Sequence, residues 1–305
     1  MICTCVCYDL KNAVTTLTEC LSFSLVRERY LSYSALHIRM LCGAELQPPV
    51  RICFFLGSTL LMDGIVQNAA VSQEDGLTVL DASVRSFTAA LSKNQLEPGI
   101  HSDVTLDSLM TEYALPHIRY QTGMPQVNYI YVKEHSPMWE ALAAYNYKLN
   151  GGYPYVRADN LLCVTPQAPA DPIVLPEALL ARRSLCRNEP IISRILMADL
   201  NGNYGAFSAD NPEAVPRRIV NVRQIPFDKQ FLYDPADALQ FRIALSNRRI
   251  LARAVAYCGY CGEDIEDAVT ADGVTASLGK LTVRGDRKGI TTEDWFYYDS
   301  FCNRS

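Results

Sequence analysis

Strand-type and helix-type segments follow one another along this chain in no regular order, and that irregularity is the strongest constraint on its fold. A steady strand–helix–strand alternation would build a parallel doubly wound sheet. Its absence points instead to the α+β class, an irregular mix of helices and antiparallel hairpins. The first residues alternate, with Cys3, Cys5 and Cys7 on one face of a strand and Thr4 and Val6 on the other. Pro48-Pro49 opens a second strand over residues 50 to 56, and a third covers 127 to 132. Asp63-Gly64, between Leu60-Leu61-Met62 and Ile65-Val66, reads as a two-residue hairpin turn because both residues tolerate positive φ. Asp272-Gly273 repeats that signal, followed by a strand from Lys280 to Arg284 and a loop over 285 to 289.

The helical expectations rest on apolar spacing. Leu17, Leu21, Leu25, Tyr30, Leu31, Leu36, Ile38 and Leu41 predict one long or broken helix over 15 to 41, ended by Gly43. Further helices are predicted over 81 to 91 and 176 to 186. Ser136-Pro137 looks like an N-cap followed by proline in the first turn, and Asn150-Gly151-Gly152 stops the helix between them. Asp234-Pro235-Ala236-Asp237 opens a helix running to about Tyr257, with Leu239, Ile243, Ile250 and Ala254 inward. On that helix Arg242, Arg249 and Arg253 fall at steps that form one outward stripe, the candidate interface for acidic groups of a neighbour. The chain of 305 residues is expected to form one large domain, or two lobes, 1–164 and 177–305, joined by a proline-rich connector at 165–176.

Composition narrows the class of function. The net charge of −5 argues against a surface that tracks a nucleic-acid backbone in bulk. The longest apolar run, Ile52 to Met62, is far too short to span a bilayer as a helix. No basic, apolar and small-residue succession marks a secretory signal at the start, so a cytoplasmic location is expected. Eleven cysteines in so long a chain read as reduced core thiols rather than a disulfide framework. Seven lysines stand against 21 arginines and 17 tyrosines. Arg and Tyr are favoured at protein interfaces, where Lys is depleted, although coding bias produces the same imbalance.

No motif for a catalytic or cofactor site emerges. There is no GxSxG, no GxxxxGK[ST] and no GxGxxG, and Gly57-Ser58-Thr59 lacks the lysine of a phosphate loop. His37, His101, His117 and His135 show no metal-ligand spacing. Cys258 and Cys261 have the spacing of half a zinc site, whose completion would need Cys3, Cys5, Cys7 or Cys302. Two buried thiols are the plainer reading, and no metal or cofactor is expected. Glu263, Asp264, Glu266 and Asp267 read as a solvated acidic turn. Arg284-Gly285-Asp286 and the sequon Asn303-Arg304-Ser305 are too short to carry weight.

An Arg- and Tyr-rich, Lys-poor, motif-free chain resembles, in character and through no specific residue, the small shell proteins of icosahedral viruses. Among these it is most similar to the clamp or cementing proteins of turreted double-stranded RNA viruses. The resemblance implies a non-enzymatic structural protein that binds other subunits of a large icosahedral assembly, in the virion and the host cytoplasm. The alternatives are an enzyme subunit with scattered catalytic residues, which a polar pocket around His117, Arg119 or Tyr131 would favour, and a zinc-stabilised interaction module.

Overall fold

The computed structural model describes residues 3–43, 46–74, 76–166, 171–187, 191–233 and 235–297. The chain is dominated by antiparallel strands, 47% strand against 17% helix, which overturns the α+β expectation. It divides into two compact units, Met1–Arg183 with Val255–Trp295, and Ser184–Ala254 with Phe296–Ser305.

The first unit is built on strands β1 (Cys3–Tyr8), β2 (Val14–Leu17), β3 (Cys20–Glu28), β4 (Ala35–Leu41), β5 (Arg51–Leu56), β6 (Thr59–Glu74) and β7 (Leu77–Ser86). They belong to an eleven-stranded sheet. Its order from one end is β2, β1, β5, β6, β7, β4, β3, then Lys280–Asp286 and Gly289–Tyr297, followed by Leu251–Cys258 and Leu180–Arg187. β1 alternates as expected, with the three cysteines buried and the residues between them half-buried.

The long helix expected over 15 to 41 is three strands instead. In β3, Phe23, Leu25 and Arg27 point inward, while in β4 Leu36, Ile38 and Met40 do. Residues four apart share a face in a helix and also in a strand, so Leu17, Leu21 and Leu25 fit both periods, and sheet pairing decides. The helix expected over 81 to 91 fails the same way. Leu80, Ala82 and Val84 line the inner face of β7, and only Ala90–Lys93 is α-helical.

Asp63-Gly64 lies inside β6, not at a turn. A Cβ on Gly64 would sit 2.2 Å from the carbonyl oxygen of Arg85, so glycine is there for close backbone approach to β7. The turn that joins β5 to β6 is at Gly57, with φ of 60°. Asp63 meanwhile grips Arg51 across the pair through two hydrogen bonds of 2.9 Å.

Helix Met138–Asn150 forms where expected and ends on Gly151 in the left-handed region. Pro137 itself occupies the N-cap position, and the Ser136 hydroxyl donates back to Lys133 O at 2.8 Å. Met138, Leu142 and Tyr145 pack with Val127, Ile130 and Val132 of the strand Val127–Val132 into a second core. The Asp272-Gly273 hairpin also forms, between strands Ala268–Ala271 and Val274–Ser277. Within the expected connector, Ile173–Val174 pairs in parallel with Ala268–Ala271, while 167–170 lie outside the described residues.

The second unit holds a three-stranded mixed sheet. Arg194–Ala198 is central, antiparallel to Tyr204–Asp210 and parallel to Val222–Ile225. Its helix is Pro235–Asn247, which buries Ala238, Leu239 and Ile243. Asp234, the expected cap, lies outside the described residues. The helix stops ten residues short of Tyr257, since Leu251–Cys258 is a strand with Ala252, Ala254 and Val255 buried. The predicted helix 176–186 is likewise a short 3-10 turn, Glu177–Leu179, followed by strand Leu180–Arg187.

Candidate functional site

The densest set of chemically capable side chains lies in the first unit, around the turn that carries Glu263 to Asp267. The sequence suggested a solvated acidic turn. Glu263 and Asp264 are buried, and three of the four carboxylates are engaged by arginines. Arg27 occupies an inward position of β3 that alternation would give to an apolar residue. Its guanidinium pairs with Asp264, donates from Nη2 to Leu61 O at 2.6 Å, and donates from Nε to Ser34 Oγ at 2.8 Å. Asp264 also accepts from the Ala158 N–H at 2.9 Å. Arg157 donates to Asp267 at 2.8 Å and to Ile265 O at 3.0 Å, and Arg29 pairs with Glu266.

These contacts tie β3, β6, the Arg157–Asn160 turn and the acidic turn into one clasp, buried at Arg27 and Asp264 and half-buried at Arg157 and Asp267. Each guanidinium here is used in binding protein groups. Such an arrangement specifies a conformation, since removing one partner would strand a buried charge.

Beside the clasp sits a pair of buried acids. Tyr257 donates to Glu263 Oε1, which also receives Cys261 N–H at its other oxygen at 3.1 Å. Burial raises the Glu263 carboxyl above the usual range, against the pull of the Tyr257 hydrogen bond. Asp294, on strand Gly289–Tyr297, is wholly buried, and neither of its oxygens has a hydrogen-bond partner. Burial, then the nearby Glu263 carboxylate, push its carboxyl well up. Nothing in the sequence distinguished Asp294 from an ordinary surface acid.

The remaining candidates are dispersed. Arg242 is on the helix and donates to the buried Asp228 at 2.8 Å, so it is held within its own unit. Arg249 lies in the turn after the helix and Arg253 in strand Leu251–Cys258, both half-buried and each with an interaction of its own. The predicted stripe therefore does not exist as a helix face. His117 stacks on Phe87 with centroids 4.3 Å apart, and Arg119 pairs with Asp159. Among the described residues no group of three or more His, Cys, Asp or Glu is placed to hold a metal; Cys302 lies outside them. The second unit instead shows bare apolar surface. Val220 is 89% exposed and Tyr233 80%, with Leu200, Val215 and Val222 also exposed. Both outer strands of its small sheet lack a further partner among the described residues.

No protein-family model matches the sequence, and comparison with curated proteins finds no match. Solved structures do match. The 43 kDa tail protein of prophage MuSo2 from Shewanella oneidensis is similar at a TM-score of 0.70 and 13% identity, over 97% of each chain. A tail protein from Neisseria meningitidis gives 0.70 and 13%, over 98% of this chain and 97% of that one. An E. coli component of the type VI secretion system, described as similar to T4 bacteriophage tail proteins, gives 0.54 and 9%, over 92% and 74%. The fold is thus that of tail and secretion-system proteins, and the likeness to capsid clamp proteins gives way to it.

Proposed function

We propose that this chain is a non-enzymatic structural subunit of a tail-type injection apparatus, binding other protein subunits at the tail rather than bracing an icosahedral shell. The observation that carries this reading is the match of fold, over nearly the full length of both chains, to a prophage tail protein and to a second tail protein. The internal chemistry supports it. The carboxylates of the acidic turn are consumed in pairing with Arg27, Arg29 and Arg157, while the second unit presents apolar residues and open strand edges suited to a protein partner. Its location on this reading is the producing cell's cytoplasm and then the finished particle.

Deleting the gene in a producing cell tests the assignment. Heads should still form and fill, while tails are missing or truncated in negative-stain images. Complete tails on the deletion particles would overturn it.

A further inference from the structure

The second unit is basic although the chain as a whole is acidic. Between 184 and 254 stand ten arginines and lysines against seven carboxylates, while the net charge of the chain is −5. Some of these cations are already neutralised: Arg194 lies by Asp210, Arg217 by Glu213 and Arg242 by Asp228. Arg218 and Arg223 are exposed and have no acidic partner among the described residues. One stands just before the edge strand Val222–Ile225 and the other within it.

One side of that strand is fixed. Ile219 packs against Ile191, Ala214 and Ile250. Asn221 donates from its backbone N–H to Ser193 Oγ at 2.8 Å and from Nδ2 to Ile191 O at 3.1 Å, and its carbonyl accepts the Ser193 N–H at 2.9 Å. Successive residues of an extended strand turn their N–H and C=O to opposite sides, so Arg223 and Ile225, like Asn221, face Arg194–Ala198 in the parallel ladder. Val222 and Gln224 face the other way. No strand pairs with them there, and neither makes a hydrogen bond on that side, among the described residues. A held row of free donors and acceptors is matched by another polypeptide backbone. Two guanidiniums without carboxylates are matched by acidic side chains, and exposed Val220 and Val222 by apolar ones.

We propose that the outer edge of Val222–Ile225 receives an extended acidic segment of a partner protein as an added strand. Its backbone pairs with Val222 and Gln224, and its carboxylates meet Arg218 and Arg223. The inference rests on the subunit reading above and specifies the partner's chemistry. A peptide probe tests it apart from the gene deletion, so either can fail alone.

The probe is a fluorescein-labelled eight-residue peptide alternating valine and glutamate. One control carries lysine in place of glutamate; a second keeps the glutamates but is N-methylated at every residue, which removes its backbone donors. Anisotropy with the full chain measures affinity and amide hydrogen exchange locates the peptide. At about 20 mM salt the glutamate peptide should bind at least about tenfold more tightly than the lysine peptide, with the gap narrowing at about 300 mM. It should slow exchange of the Val222 and Gln224 amides by about tenfold at saturation, and the N-methylated peptide should do neither. Arg218→Gln combined with Arg223→Gln should weaken binding by about tenfold while Tm stays unchanged. No binding of the glutamate peptide, equal affinity for the two charged peptides, binding of the N-methylated one, or protection away from Val222 and Gln224 would each overturn the proposal. So would slow exchange of those two amides in the free chain: dependence on concentration would show a second copy on the edge, and independence another segment of the same chain.

Discussion

Replacing Asp294 by leucine should stabilise the protein, although the residue is wholly buried on a central strand. Its oxygens have no hydrogen-bond partner, and its ionisation is opposed by burial and by Glu263. A buried polar group left without a partner costs about 1–3 kcal/mol, and an apolar side chain of similar shape removes that cost. The variant should therefore gain about 1–3 kcal/mol at pH 7, or roughly 3–10 °C in Tm. The pH dependence supplies a second signature. A carboxyl whose folded pKa is raised keeps its proton when the unfolded chain has released it, so stability falls as pH rises from about 4 through the raised value. Asp294→Leu removes this residue's share of that fall, and Asp294→Asn should do so too with a smaller gain, because the amide stays unpartnered. Urea unfolding from pH 4 to 9 measures both effects. A loss of more than about 1 kcal/mol in the leucine variant at pH 7, with pH dependence unchanged, would refute the reasoning.

The clasp makes the opposite forecast: Arg27→Met removes the close partner of the buried Asp264, leaving it only Arg157 at 3.6 Å, and should cost about 3 kcal/mol in chemical denaturation, with part recovered by adding Asp264→Leu. Gly64→Ala drives a Cβ into the Arg85 carbonyl and should lower Tm by several degrees, whereas Gly43→Ala, which meets nothing within 4 Å, should leave it nearly unchanged. Arg242→Gln should destabilise the second unit by about 1–3 kcal/mol through the loss of its bond to buried Asp228, measurable by denaturant unfolding. Val220→Asp and Val215→Asp should reduce self-association or binding to partner subunits in sedimentation without lowering Tm, since both side chains are exposed.

What was legible in the sequence was local and single-period. β1 and the helix stopped by Gly151 each carry a signal that fits one structure, whereas the Asp-Gly signal marked a true hairpin at 272–273 and none at 63–64. Leu17, Leu21, Leu25, Ile250 and Ala254 misled because a spacing of four serves a strand and a helix equally, and only the pairing of distant strands separates them. Asp63-Gly64 misled for a different reason: the glycine answers a steric demand from β7, which no local pattern reveals. The clasp was hidden by sequence distance, since Arg27 and Asp264 meet only when the sheet has formed. An arginine on the inward side of an alternating strand was the available clue. The interface expectation placed on Arg242, Arg249 and Arg253 depended on a helix that ends at Asn247.

Locating the chain in intact particles tests the central claim most directly. Gold-labelled antibody against an epitope tag on this chain, imaged on purified particles, should mark the tail, with no label on the head shell. Label spread over the shell, or none on particles that otherwise bind the antibody's control epitope, would contradict the account.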